Sequence, residues 1–416
     1  METLGSKKKD KNRKPGNTAF RQQRLQAWQP IITPKKALPL FFIIGFVLVP
    51  IGGLLLYASS QVQELVIDYT HCDRAGEVFS PIPEGSYNAV FKTVKSADDY
   101  YPPPEWKVTR DIASSDPKMQ LTNPRYLEKH VCSLKFTIPN NLKPPVLLFY
   151  RLTNFYQNHR RYVQSLDEDQ LRGEAVNLER LQKEENCAPL SGNRSLPYYP
   201  CGLIANSMFN DTFQAPLLLG GRDEEVTRRY NMTSLGIAWE SDAKRYGRTK
   251  YTSDQVVPPP NWVERFEDGR YTEETMPQLD KDEEFQVWMR AAGLPTFSKL
   301  ALRNDREVME AGEYRVNVFY RFPVREYRGT KSLVISTRTV MGGRNSFLGI
   351  AYCVVGGVCI MLGLLFTGRT LIKPRKLGDH TLLSWNREEL KADRANNGVE
   401  NVENVNGAVV VSGREL

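Results

Sequence analysis

Cysteines, histidines and Asn-x-Ser/Thr triplets are the residues of this 416-residue chain whose types and spacing point to definite chemistry. Cys72, Cys132, Cys187 and Cys201 lie between two long apolar runs, and Cys353 and Cys359 lie inside the second run, where a thiol behaves as a small apolar side chain. Four cysteines admit three pairings. The sequential pairing, Cys72 with Cys132 and Cys187 with Cys201, is the favoured one. On the chain-entropy account its shorter loop stabilises by about 3 kcal/mol and its longer loop by about 4. His71-Cys72 and His130-x-Cys132 also offer the donor types of a zinc site, but their spacing matches no common zinc module. In an oxidising compartment a disulfide is the simpler outcome, so no metal is expected. Asn193-Arg-Ser, Asn210-Asp-Thr and Asn231-Met-Thr are N-glycosylation sequons, all between the apolar runs. The chain has no P-loop, no G-x-S-x-G elbow and no H-E-x-x-H pair, and its other histidines, His159 and His380, stand alone. No catalytic residue and no cofactor site is read from it.

The elements that position these groups begin with the apolar runs. Residues 37–59 and 346–367 carry no charge. Each exceeds the roughly 20 residues that span a bilayer at 1.5 Å per residue, so each is read as a transmembrane helix. The basic leader before the first run is too long, and Leu-Leu-Leu-Tyr too bulky, for a cleaved signal peptide. Residues 1–36 hold ten Lys/Arg against two Asp/Glu, which accounts for the whole net charge of +8. Such a tail reads as topology, whereas a nucleic-acid binder spreads its cations over a folded face. Lys35 and Lys36 precede the first run, and Arg369, Lys373, Arg375 and Lys376 follow the second. The positive-inside rule therefore puts both ends in the cytosol. The expected domains are a cytosolic tail (1–36), helix 1 (37–59), a lumenal or extracellular glycosylated domain (60–345), helix 2 (346–367) and a cytosolic C-terminal tail (368–416), low in complexity from about Ala395 and expected to be partly disordered.

Residues 60–345 read as β-rich. Cys132, Leu134, Phe136 and Ile138 alternate on one face of a run from Val131 to Pro139. Tyr314, Val316, Val318 and Tyr320 do so in a second run, from Glu313 to Phe322, and 144–156 and 332–340 are further strand candidates. Helix is expected within 157–181 and 282–292, and proline clusters such as Tyr101-Pro-Pro-Pro break up the rest. The fold class is a two-span membrane protein with an antiparallel, sandwich-like ectodomain, short helices and long loops.

Five stretches carry a specific likeness. They are NTAFRQQRLQAWQPIITP (17–34), YRLTNFYQNHRRYVQS (150–165), PCGLIANSMFNDT (200–212), VWMRAAGLPTFSKL (287–300) and MGGRNSFLG (341–349). The chain resembles the cell division control protein fifty (Cdc50/LEM3) family, the accessory β-subunits of the type-IV P-type ATPases that act as phospholipid flippases. The resemblance implies two spans and a glycosylated, disulfide-linked ectodomain of antiparallel sheets. It implies a heterodimer with the ATPase catalytic subunit, escort from the endoplasmic reticulum, and a requirement for flippase activity without a catalytic residue. It places the protein in membranes of the secretory and endosomal system: endoplasmic reticulum, Golgi, endosome or plasma membrane. It also implies the Cys187–Cys201 pairing, and says less about the first disulfide.

The remaining candidates are surfaces. Gly349, Cys353, Gly356, Gly357 and Gly363 fall near one face of the second helix. Gly45 and Gly52 lie seven apart in the first, with Pro50 marking a bend. Small residues let helices approach closely in lipid, although membrane helices are glycine-rich in any case. In the tail, Phe20, Arg21, Arg24 and Trp28 mix cations with apolar side chains and no acid. They suit an anionic leaflet or, as the resemblance implies, docking on the partner. A two-span ligand-gated cation channel is the alternative reading, but it would line its pore with polar positions that these spans lack. An anchored ectoenzyme would need one span only.

Overall fold

A computed structural model describes residues 17–25, 33–93, 101–112, 128–220, 225–337 and 344–372. The chain forms two units, one helical (to Gly53 and from Gly349) and one β-rich (Leu54–Leu348). Trp28, part of the expected docking motif, and the low-complexity C-terminus lie outside the described residues.

The long helices are α1 (Pro34–Ser60), which runs through Pro39 and Pro50, and the C-terminal Phe347–Ile372. Both are long and apolar enough to cross a bilayer. Each extends past its uncharged run into charged flanks, because helical hydrogen bonding satisfies the backbone whatever the side chains are.

The β-rich unit is built from two antiparallel sheets. The first has the order β10-β6-β12-β1-β3, comprising β1 (Glu64–Asp68), β3 (Tyr87–Val90), β6 (Val146–Leu152), β10 (Phe297–Asn304) and β12 (Lys331–Thr337). The second runs β2-β4-β5-β11-β8-β9, from β2 (Ser80–Pro81), β4 (Glu105–Ile112), β5 (Glu128–Ile138), β8 (Leu217–Gly220), β9 (Glu225–Arg229) and β11 (Gly312–Phe319), with β7 (Thr212–Phe213) also on β11. One core joins the inner faces: Cys132, Leu134, Phe136 and Ile138 of β5 and Val316 and Val318 of β11 pack with Leu65, Ile67, Leu148 and Ile335 of the other sheet. The expected alternation of β5 and β11 is thus the alternation of a sheet buried on one face. β12 differs. It is central and buried on both faces, so its residues read as a continuous run.

All five residues of β1 pair with β12, from Asp68 opposite Ser332 to Glu64 opposite Ser336. The chain therefore enters the first sheet on β1 and leaves it on the adjacent β12. Gln63 fastens this place. Its carbonyl accepts from the Thr337 amide (2.9 Å) and its amide donates to the Thr337 hydroxyl (3.0 Å), while its side-chain oxygen accepts from Lys92 N (3.0 Å) and Asn140 Nδ2 (2.8 Å).

Between β6 and β10 the chain makes short helices α2 (Arg160–Val163), α3 (Glu168–Leu171), α4 (Leu178–Glu184), α5 (Leu203–Asn206), α6 (Glu240–Ala243) and α7 (Glu283–Met289); the C-terminal helix is then α8. Helix over 157–181 is therefore three single pieces, each stopped before it exceeds two turns. Asp167, Asn177 and Asp282 cap α3, α4 and α7 by accepting a backbone N–H at the third residue after the cap. The indoles of Trp262 and Trp288 donate to the carbonyls of Ala205 (3.0 Å) and Ile204 (2.7 Å), which ties α5 to α7. At the other end of α7 the ammonium of Lys299 donates to the carbonyls of Val287 (3.0 Å), Trp288 (2.5 Å) and Arg290 (2.8 Å). A donor at a helix C-terminus satisfies orphan acceptors, and its protonated form is favoured by the helix dipole.

These buried groups set a pH dependence. Burial, with Arg290 beside it, pushes Lys299 from its ordinary 10.5 down to about 7. Between those values the unfolded chain holds more protons, so this group makes stability rise with pH. Burial pushes the phenols of Tyr69, Tyr150 and Tyr271 well above their ordinary 10.0, and those of Tyr162 and Tyr199 to about 12. Their contribution is intact below pH 10.0 and is lost as the pH climbs toward the folded values. The thermal midpoint of the detergent-solubilised protein is expected to climb from neutrality toward about pH 10 and fall beyond it. Lys299→Met flattens the climb, and tyrosinate absorbance appears together with unfolding.

Candidate functional site

The helical unit holds a seam of bare backbone. Gly45 and Gly52 of α1 and Gly349, Gly356 and Gly363 of α8 are buried, at seven-residue intervals within each helix. A Cβ on Gly52 would stand 2.8 Å from the Cys353 amide nitrogen and 2.9 Å from the Gly349 carbonyl oxygen. One on Gly45 would stand 2.9 Å from the Gly356 carbonyl, and one on Gly356 would stand 3.1 Å from the Val49 amide. The register is antiparallel, and only glycine permits this approach. Gly363 receives the ring of Phe42, and Phe41 lies against Phe366 with centroids 6.0 Å apart. The Cys353 thiol reaches the Val49 carbonyl at 3.8 Å. Gly357, expected on the same face, is not in the seam, and a Cβ there meets nothing within 4 Å. One residue turns a helix by about 100°, so Gly356 and Gly357 cannot both face the partner helix.

The second constellation is an ion pair inside the β-rich unit. The Lys331 ammonium, at the start of β12, donates to Asp211 Oδ2 at 2.6 Å, and neither side chain is exposed. Asp211 Oδ2 also accepts from the Tyr69 hydroxyl (3.0 Å), and Oδ1 accepts from the amides of Arg321 (2.5 Å) and Phe322 (2.6 Å). Lys331 donates further to the Phe322 carbonyl (2.8 Å) and lies 3.4 Å from the centre of the Tyr320 ring. Burial lowers its pKa, and Asp211 opposes that shift. Neither residue was singled out from sequence. Asp211 lies inside a sequon and the PCGLIANSMFNDT string, the one signal that marked its position, while Lys331 carries no signal of its buried role.

The other predicted sites fall as follows. Cys72 is bonded to Cys132 and Cys187 to Cys201, with Cα–Cα distances of 6.0 and 5.7 Å. The first bond ties the turn after β1 to β5, hence one sheet to the other, and it leaves neither thiolate free for a metal. The second closes a small cluster of Val176, Leu181 and Tyr198. Asn193 and Asn231 are exposed, whereas Asn210 is half-buried in the wall of a cleft. In the tail Phe20, Arg21 and Arg24 are exposed around a turn closed by Gln22 N to Thr18 O (2.9 Å) and Arg24 N to Ala19 O (2.8 Å).

Two tests follow from these contacts. Gly52→Leu, whose Cβ would run into the Cys353 amide and the Gly349 carbonyl, is expected to lower the thermal midpoint of the detergent-solubilised protein, while Gly53→Leu, whose Cβ meets nothing within 4 Å, is expected to leave it unchanged. Asp211→Asn strands a buried ammonium and is expected to cost about 3–5 kcal/mol in thermal unfolding. Lys331→Met costs less, because the carboxylate keeps the Tyr69 hydroxyl and two amides.

The likeness to known proteins covers nearly the whole of this architecture. The profile of the LEM3 (ligand-effect modulator 3) family / CDC50 family matches residues 55–376. The phospholipid-transporting ATPase accessory subunit CRF1 of Saccharomyces cerevisiae is 41% identical over 92% of this chain and 92% of its own length. The phospholipid-transporting ATPase accessory subunit CDC50 of Chaetomium thermophilum is 42% identical over 91% of this chain and 92% of its own. Cell cycle control protein 50A of Bos taurus is 36% identical over 85% and 88%. With matches of this extent running through both long helices and the sheets between them, the chain belongs to the LEM3/CDC50 family.

Proposed function

We propose that this protein is the non-catalytic accessory subunit of a type-IV P-type ATPase that moves phospholipid toward the cytosolic leaflet. The observation that carries the reading is end-to-end similarity to proteins named as phospholipid-transporting ATPase accessory subunits, at 92% coverage of both chains in the first case. The subunit binds one catalytic chain, accompanies it out of the endoplasmic reticulum and is needed for its activity. Both termini are cytosolic and the β-rich unit is lumenal or extracellular. The flanking cations, the two disulfides and the confinement of the sequons to residues 60–345 support that orientation. Its compartment is the secretory and endosomal system.

A subunit without chemistry of its own acts through differential contacts with the states of its partner. Three regions are available for such contacts. The tail presents Phe20, Arg21 and Arg24, the long helices present an apolar exterior, and the β-rich unit supplies a stapled surface. Purified alone, the protein neither hydrolyses ATP nor moves lipid.

The test is uptake of fluorescent phospholipid by cells that lack their own accessory subunit, with pull-down of the ATPase as the second readout. Full-length protein is expected to restore both. Removal of residues 1–30 is expected to lower uptake more than pull-down, because helices and ectodomain still hold the complex. Failure to capture any such ATPase, together with ion conduction by the protein alone, would replace this reading with a channel. Staining of intact cells by an antibody against the tail would reverse the orientation.

A further inference from the structure

Near the place where the chain passes from α1 into the first sheet, the β-rich unit holds a cleft of about 460 Å³. That volume falls in the range of small-ligand sites, about 300–1,000 Å³. Leu147 and Phe149 of β6, Leu300 of β10 and Val287 of α7 give it an apolar lining, and Trp239, just before α6, stands in its wall 62% exposed. Ser336 and Thr337, the end of β12, line it too. Thr337 is bonded to Gln63, which follows Ser60, the last residue of α1, by three positions. Three residues span at most about 10 Å and paired strands stand about 5 Å apart, so this end of the cleft lies within about 15 Å of the end of α1. With 27 residues α1 is about 40 Å long, roughly 10 Å more than a hydrocarbon core. The cleft is therefore within reach of the polar headgroup layer, where an exposed tryptophan is at home.

The charged residues of the cleft are Asp242, Arg290 and Lys299. The Lys299 ammonium is taken up by the three carbonyls at the end of α7. The Arg290 guanidinium is held from two sides. It lies 4.7 Å from the centre of the Trp239 ring, and its Nη1 donates to Asp242 Oδ2 at 3.0 Å. Among the described residues its Nε–Nη2 edge has no partner. A fixed guanidinium edge with two parallel N–H groups matches two oxygens of a phosphate. We propose that this cleft binds the headgroup of a phospholipid from the adjoining leaflet, with the phosphate on the Nε–Nη2 edge of Arg290 and the glycerol and first methylenes against Leu147, Phe149 and Leu300. Placing that lipid in the outer or lumenal leaflet rests on the function and orientation proposed above. Recognition of a phosphodiester on an apolar body rests on the cleft alone. Inorganic phosphate would gain only the arginine, and a neutral diglyceride only the apolar lining, so each falls short of the two together.

The experiment titrates the purified full-length protein, in an uncharged maltoside detergent, with dihexanoylphosphatidylcholine. The emission of Trp239 is read as the difference between the wild-type chain and Trp239→Phe. A saturable shift of that emission to shorter wavelength is expected. Arg290→Gln is expected to raise the Kd at least roughly tenfold, the usual loss when a charged hydrogen-bond donor is removed. Arg290 is exposed, so this variant keeps the fold. Dihexanoylglycerol is expected to bind at least roughly tenfold more weakly, and inorganic phosphate at the same concentrations to leave the emission unchanged. No saturable response overturns the proposal, as does an unchanged Kd in Arg290→Gln. An equal response to dihexanoylglycerol overturns it in favour of an apolar occupant, such as a side chain of a partner protein. An equal response to inorganic phosphate overturns it in favour of a simple anion site. The titration needs no ATPase, so the two readings fail separately. Capture of an ATPase without a lipid response overturns this proposal and leaves the transport reading, and a lipid response without capture does the reverse.

Discussion

The carboxylate of Asp211 joins parts of the chain that the sequence holds far apart. It accepts from Tyr69 just after β1, from the backbone at Arg321 and Phe322 after β11, and from Lys331 at the start of β12. Two of those segments belong to one sheet and one follows the other, so this group fixes how the sheets meet on the side away from Gln63. The arrangement is stable only as a whole. A buried ammonium and carboxylate lose hydration worth several kcal/mol each, and recover it only where every remaining lone pair and proton has a partner. Replacing both with apolar residues would leave the Tyr69 hydroxyl and two amides without an acceptor. That is why the ion pair cannot be exchanged for packing here, although such an exchange is tolerated in other proteins. The Cys72–Cys132 bond reinforces the same junction covalently, from the turn next to Tyr69.

In the helical unit the constraint is different in kind. Lipid supplies no hydrophobic drive to bring two apolar helices together, so their association rests on close packing. Five glycines at seven-residue spacing provide it, and the two helices share the work: Gly52 meets Gly349 and Cys353, and Gly45 meets Gly356. The large side chains are left outside. Ile43, Phe46, Val354 and Met361 are each more than half exposed. A smooth inner seam and an apolar exterior are what a helix pair needs in order to stay paired while offering its outer face to lipid or to another helix.

Much of this was legible in the sequence, and the parts that were not share a cause. Uncharged runs and cysteine positions are local signals, and they marked the two long helices and both disulfides. β5 and β11 showed their alternation because one face of their sheet is buried and the other is not. β10 was not recognised as a strand, because its burial does not alternate and the buried position near its start is Lys299. That lysine is buried to cap α7, a role no local pattern reports. β1 was missed because five residues between a membrane helix and a turn carry too short a period to read. The glycine seam was legible as to which residues are small, but not as to which small residues meet. Gly357 was included on proximity in sequence, and the helical rotation excludes it.

The same division bears on how such a subunit can act. Each unit is fastened internally: bare backbone against bare backbone in one, and two disulfides with a buried ion pair in the other. A bistable element within this chain would need a contact that can be exchanged at low cost, and neither the seam nor the Asp211 network offers one. The conformational change in a transport cycle then belongs to the catalytic partner. The subunit's influence is the difference in contact free energy between those states of the partner that fit its fixed surfaces and those that do not. An exposed tail turn differs, since Phe20, Arg21 and Arg24 sit around local bonds within residues 18–24. Its ordering can itself be coupled to the partner's state, which is the physical reason to expect its loss to affect turnover before assembly.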